Sequence, residues 1–263
     1  MYDNLKTSVN ISPLRISQWV VDKMTNDADT PLKQLLYGDG LLPEQLEALY
    51  KIKLLVLRGR AEVRNITELY AETDTYSALR YCCYDADSLL TSVVKQVTSL
   101  FSGKNLTISL ECSETCKNVI FDLRRTSLVL YNLLSNAIIH SGKKEKKISV
   151  EAFMRGDDFV ISVTDNGKAL PKSARDNLFT AFEASLMQIS DDTLSLKGLG
   201  LSVCRKAARD MGGDTVYVPS SKYNRFEFYI PQNNKPHTIS ETSVCIPDPN
   251  EIELYLAEAL LSI

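Results

Sequence analysis

Leu128-Val129-Leu130-Tyr131-Asn132-Leu133-Leu134-Ser135-Asn136-Ala137-Ile138-Ile139-His140 is the stretch on which the fold turns. Its apolar residues have helical period, and a helix is expected over about Leu123 to His140. Asn132, Asn136 and His140 fall at i, i+4 and i+8, so they form one polar stripe on an otherwise apolar rod. Such a stripe either bridges neighbouring backbone or serves a ligand. An asparagine side-chain oxygen is a neutral hard donor, suited to a magnesium ion already shared with phosphates.

Downstream, Phe159 to Val163 reads as an apolar strand that ends in Asp165-Asn166-Gly167, placing a carboxylate where ligands often sit. A carboxylate there can accept a hydrogen bond from an exocyclic amine. Ile148 to Phe153 is its hairpin partner, joined through Arg155-Gly156-Asp157-Asp158. Lys143 to Lys147 reads as a solvated loop. A helix from about Pro171, a polar loop at 188–197 and a helix from Leu199 to Met211 follow. Gly198-Leu199-Gly200-Leu201 opens that last helix, where free backbone N–H groups favour phosphate. Gly212-Gly213 closes it, before strands at 214–218 and 225–230. Upstream, a helix over about Asp85 to Phe101 and strands at 106–110 and 119–121 complete an α+β domain, a two-layer sandwich of helices on one face of a mixed sheet.

The first 72 residues read differently. Ile11, Leu14, Val20 or Val21, and Met24 suggest one helix; Pro31 and Gly38-Asp39-Gly40 break it. A second helix from about Pro43 to Tyr70 carries Leu46, Leu49, Ile52, Val56, Val63, Ile66 and Leu69 as a stripe. Two helices cannot bury both stripes by themselves, so an N-terminal αα-hairpin over residues 1–76 implies either a homodimeric four-helix bundle, the leading expectation, or packing on the rest of the chain.

Composition excludes other classes. The chain has 263 residues, 44% hydrophobic and 24% charged, with 30 basic and 33 acidic residues and a net charge of −3. No polybasic attraction draws it to nucleic acid or anionic lipid. No apolar run reaches the roughly 18 residues of a membrane segment, and a signal peptide core is absent, so a cytoplasmic protein, or the cytoplasmic part of a membrane sensor, is expected. Cys82, Cys83, Cys112, Cys116, Cys204 and Cys245 read as reduced thiols. Cys112 and Cys116 lack a second pair, and His140 and His237 lie far from them, so zinc is not expected.

Taken in order, Asn132 with Asn136, Asp165-x-Gly167, Leu178-Phe179-x-x-Phe182 and Gly198-x-Gly200-Leu201 resemble the N, G1, F and G2 boxes of the Bergerat-type ATPase domain of sensor histidine kinases. The resemblance spans about residues 84–231. It implies ATP and Mg2+ as ligands, with Asn136 on the magnesium, Asp165 on the adenine amine, and Gly167, Phe179, Phe182, Gly198, Gly200 and Leu201 around the nucleotide. It gives Asn132 a catalytic part and makes 183–197 a lid. The hairpin resembles the family's phosphoacceptor domain, with Ser8 in the place of the histidine and Pro13 and Leu14 matching its motif. A serine hydroxyl lacks the low-pKa imidazole nitrogen on which a phosphoramidate forms, so autophosphorylation is not expected and a pseudokinase is.

Further departures are Ile139 in place of a lysine, Ala169 in place of a second glycine, and Leu196 in place of the last box's first glycine. Residues 232–242 read as a linker. Ser243 to Leu260 resembles the start of a receiver domain, with Pro247 and Asp248 in the places of two acidic residues, or else is an amphipathic helix docking on its own chain. The function so implied is an ATP-binding, histidine-kinase-like protein of a two-component phosphorelay. Its expected partners are a response-regulator receiver domain or an intact histidine kinase, on whose histidine it could act in trans. The other reading is a dimeric, non-enzymatic adaptor with a vestigial pocket.

Overall fold

The computed structural model describes residues 32, 35, 40–70, 79–142, 144–175, 177–180, 199–233, 242–243 and 248–262. The first helix of the expected hairpin lies outside them, as do Ser8, Pro13, Leu14, Phe182, the expected lid and Gly198.

The elements are α1 (Pro43–Tyr70), β1 (Tyr81–Tyr84), α2 (Ala86–Leu100), β2 (Leu106–Cys112), a short 3-10 turn (Glu114–Cys116), β3 (Val119–Asp122) and α3 (Leu123–His140). They continue with β4 (Lys146–Arg155), β5 (Asp158–Asp165), α4 (Lys172–Arg175), α5 (Leu199–Asp210), β6 (Asp214–Val218), β7 (Asn224–Pro231), β8 (Thr242–Ser243) and α6 (Pro249–Leu261). Five strands form a mixed sheet in the order β2-β4-β5-β7-β6; β2 and β4 run parallel and the other neighbours antiparallel. The architecture is α+β, as the periodicities imply.

Strand chemistry follows position. Edge strand β2 alternates, with Leu106, Ile108, Leu110 and Cys112 half-buried and the residues between them exposed. Central β5 is buried on both faces from Phe159 to Val163, which its unbroken apolar run requires. Helix α3 runs beneath the sheet and is buried almost throughout. Asp122 caps it: Oδ1 accepts from the Arg125 N–H at 2.9 Å and Oδ2 from the Arg80 N–H at 2.7 Å. Gly212, at φ +85°, ends α5 in the left-handed conformation that the Gly212-Gly213 pair announces.

Two strands were not legible in the sequence. β1 and β8 join β3 in a small second sheet, β3-β1-β8, in which Cys83 lies opposite Thr242 in a parallel pair. Beyond it, α6 buries Ile252, Leu256, Ala257 and Ala259 against α1 and α3. Tyr255 sits 5.8 Å, centroid to centroid, from Tyr131, while Glu253 and Glu251 pair with Lys53 and Arg64 of α1. The Asp248 carboxylate caps this helix, accepting from the Asn250 N–H at 2.9 Å. The C-terminal helix therefore docks on its own chain.

Helix α1 is fastened to the sheet domain. Leu54 and Ala61 are buried, and Ile66 and Leu69 pack on the core. Glu68 reaches across to Arg124 and Arg125. Arg125, 1% exposed, also approaches Asp210 of α5 at 2.8 Å, so one buried guanidinium stands between carboxylates from two helices.

Candidate functional site

The end of α3 meets the end of β5 and the turn after it at one edge of the sandwich, while the first turn of α5 meets α3 at Asn132. Asp165 closes β5 opposite Asn224 of β7 and Ile148 of β4. Its side chain is 3% exposed. Oδ1 accepts from the Gly167 N–H at 2.7 Å and from Asn224 Nδ2 at 3.1 Å. Among the described residues Oδ2 has no such donor, which leaves it open to an incoming amine. Burial pushes the carboxyl above its ordinary value; the Asn224 and Gly167 donors and the nearby His140 and Lys146 charges pull against that.

Gly167 has no room for a side chain. A Cβ there would stand 2.0 Å from the His140 carbonyl oxygen and 2.6 Å from Asp165 Oδ1. The glycine thus lets the turn close against the end of α3. Asn166 secures the same turn from outside: its Oδ1 accepts from the Gly142 and Lys147 N–H groups at 3.0 Å each, and its Nδ2 donates to the Glu145 carbonyl at 2.9 Å. Lys146 Nζ donates to the Ile138 carbonyl at 2.7 Å, tying the end of α3 to β4.

The stripe on α3 divides. Asn132 is buried at 7% exposure and committed internally: Nδ2 donates to the Leu128 carbonyl at 2.9 Å, and Oδ1 accepts from Asn65 Nδ2 of α1 at 3.2 Å. Asn136 is half-buried and makes no hydrogen bond among the described residues, and His140 is exposed. Ile139, where the resemblance has a lysine, packs on the hydrophobic core.

Gly200 lies in the first turn of α5, where a Cβ would approach Asn132 Oδ1 to 2.8 Å. Leu199 is buried beside it and Leu201 half-buried. Phe179 reaches the same helix: its carbonyl accepts from Ser202 Oγ at 2.9 Å, and its ring lies 4.9 Å from the Arg205 guanidinium carbon. The structure thus sets Asp165 and Gly167 against the end of α3 at His140, and Gly200 against Asn132 eight residues earlier on the same helix, with Asn136 between them in sequence and Phe179 against α5, which carries Leu201. Asn65, Asn166, Lys146 and Asn224 are the polar residues there that sequence reasoning missed.

These residues fit an adenine nucleotide in three respects: a buried carboxylate with one oxygen that has no donor among the described residues, a glycine turn that closes on it, and, one turn back along α3, an asparagine with no hydrogen bond among them. No group of three or more His, Cys, Asp or Glu able to hold a metal occurs among the described residues.

A small mixed sheet thus lies under helices, with this turn and this asparagine-bearing helix beside it. Residues 121–234 match the family model described as histidine kinase-, DNA gyrase B-, and HSP90-like ATPase. The adaptive-response sensory kinase SasA of a Synechocystis species is 34% identical over 146 residues, covering 54% of this chain and 37% of that protein. The same kinase of a Synechococcus species is 32% identical over 149 residues, covering 56% and 38%. The chain thus spans well under half the length of these relatives. Among solved structures, the Acinetobacter baumannii histidine kinase AdeS superposes with a TM-score of 0.57 at 20% identity, over 83% of this chain and 98% of that one. Full-length ShkA, solved in complex with AMPPNP, gives 0.59 at 20% identity over 81% and 46%. Together these findings support a histidine-kinase core, and at that identity the solved structures speak for its fold. Among the described residues, no helix is long and apolar enough to cross a membrane.

Proposed function

We propose that the chain is an ATP-binding, histidine-kinase-like component of a two-component phosphorelay, dimeric through its N-terminal helices, that binds nucleotide without phosphorylating itself. The observation that carries the reading is Asp165: buried and loaded on Oδ1 by Gly167 and Asn224, with no donor to Oδ2 among the described residues, while Asn136 of α3 makes no hydrogen bond among them. Asp165 Oδ2 would accept the adenine amine, Gly167 would admit the base, and Asn136 would face the magnesium that bridges the phosphates. Bound ATP supplies a transferable phosphoryl group. Phe179 would flank the nucleotide beside Gly200 and Leu201, while Phe182 and Gly198 complete the expected set outside the described residues.

Transfer within the chain lacks its acceptor, because Ser8 stands where the imidazole is expected and the chain's two histidines lie at 140 and 237. The partners proposed are a second copy and either an intact histidine kinase, phosphorylated in trans, or a receiver domain. Incubation with γ-labelled ATP tests this. The chain alone should bind ATP and acquire no acid-labile phosphate; a phosphohistidine on it would contradict the reading. The adaptor reading draws on the commitment of Asn132 to Asn65, and it predicts partner binding that Mg-ATP leaves unchanged.

A further inference from the structure

Asn224 belongs to none of the four boxes and stands 59 residues from Asp165, yet the two side chains meet. It is 4% exposed and uses both ends of its amide. Nδ2 donates to Asp165 Oδ1 at 3.1 Å and to the Lys168 carbonyl at 3.2 Å. Oδ1 accepts from the Leu170 N–H at 3.1 Å and from the Tyr217 hydroxyl at 3.4 Å. The Leu170 N–H can only donate, so it fixes the amide orientation and turns the NH2 group toward Asp165.

We propose that Asn224 is the positioning residue for base recognition: it loads Asp165 Oδ1 so that Oδ2 is presented to an exocyclic amine, and it ties that carboxylate to the 168–170 backbone. The inference rests on the nucleotide-pocket reading above and extends it to a residue outside the motifs. It also accounts for Ala169. Where the resemblance has a second, flexible glycine, the loop is held here through its carbonyl at 168 and its N–H at 170.

Asn224→Asp discriminates this role from a merely structural one. The substituted residue keeps an oxygen for Leu170 and Tyr217 and places a second carboxyl against Asp165. When protonated, its O–H donates to Asp165 as the amide did; when ionised, it repels it. The other groups facing the pair are His140 at the end of α3, Lys146 at the start of β4, Tyr217 on β6, and Arg175 of α4 over the Tyr217 ring. They are common to both proteins and cancel in a ratio.

The experiment is titration of wild type, Asn224→Asp and Asn224→Ala with magnesium AMPPNP from pH 5.5 to 8, with melting curves for each. Wild type should bind, and the ratio of the Asn224→Asp Kd to the wild-type Kd should rise about tenfold or more with pH as the carboxyl pair loses its shared proton. Asn224→Ala should weaken binding by about tenfold, the worth of one hydrogen bond to a charged group, at every pH. A ratio for Asn224→Asp that is flat with pH overturns the proposal, and so does unaltered affinity in Asn224→Ala. Should Asn224→Asp fail to melt cooperatively, the alanine variant decides alone. Absence of binding by the wild type would instead overturn the pocket reading, and this proposal with it.

Discussion

Asn65 of α1 and Asn132 of α3 hold each other by their side-chain amides, both buried, Asn65 Nδ2 donating at 3.2 Å and Asn132 Nδ2 returning a bond at 3.5 Å. The polar stripe of α3 is thereby joined to α1. Gly200 presses on the same Asn132 oxygen from α5, so three helices converge on one amide.

Removing Asn65 strands a buried amide. Asn65→Ala is expected to cost about 1–3 kcal/mol, mostly from unsatisfied Asn132. A double-mutant cycle with Asn132→Ala in urea denaturation should return a coupling of about 1 kcal/mol. Zero coupling would mean that the pair is incidental to the docking of α1.

Arg125 is the buried charge on which α1, α3 and α5 converge, against Glu68 and Asp210. Arg125→Met removes the buried cation between the two carboxylates, leaving Glu68 with Arg124 and Asp210 with Lys206. A loss of about 1–3 kcal/mol is expected at neutral pH, below that of a buried pair stripped of its sole partner, because each carboxylate keeps a second cation. Equilibrium denaturation measures it; a neutral substitution would show that solvent already screens the cluster.

Asp165 is a carboxyl held at a cost in stability. Burial raises its folded pKa above the unfolded value, so its contribution is most favourable below the ordinary carboxylate pKa and is lost as pH rises through the raised folded pKa. An asparagine there still accepts from Gly167 and Asn224 on its oxygen and carries no charge. Asp165→Asn should match or exceed the wild type in melting temperature at pH 7, with the advantage shrinking below about pH 4, where both side chains are neutral. A variant clearly less stable at pH 7 would contradict the burial argument.

Gly167→Ala forces a Cβ onto the His140 carbonyl and the Asp165 carboxylate. The turn must move away from α3, with a cost of about 1–3 kcal/mol by analogy with overpacking. Binding of a nucleotide analogue should weaken together with the melting temperature. Affinity unaltered in a destabilised protein would separate the turn from the pocket.

Most of this architecture was readable along the chain because it is written in local periodicities. The apolar run of β5, the alternation of β2 and the 3.6-residue period of α3 each place an element within a few residues of its observed bounds. β1 was not readable: Tyr81-Cys-Cys-Tyr84 has no alternation, and it becomes a strand by pairing with β3. β8 is two residues long and exists only against β1. Asp165, Gly167, Asn136 and Gly200 stood out because motif spacing marks them. Asn224 and Asn65 did not, because their part depends on contacts 59 and 67 residues away in sequence that only the β5–β7 register and the packing of α1 on α3 create. Asn65 left one trace: it is a polar residue between Val63 and Ile66 on the buried side of a long helix.

The measurement that bears most directly on the account is calorimetric titration of the chain with a slowly hydrolysed ATP analogue and magnesium, beside Asp165→Asn and Asn136→Ala. The account predicts saturable binding by the wild type, abolished or strongly weakened by the first substitution and weakened by the second in a magnesium-dependent way. Absence of saturable binding by a folded wild type, or binding indifferent to Asp165, would contradict it.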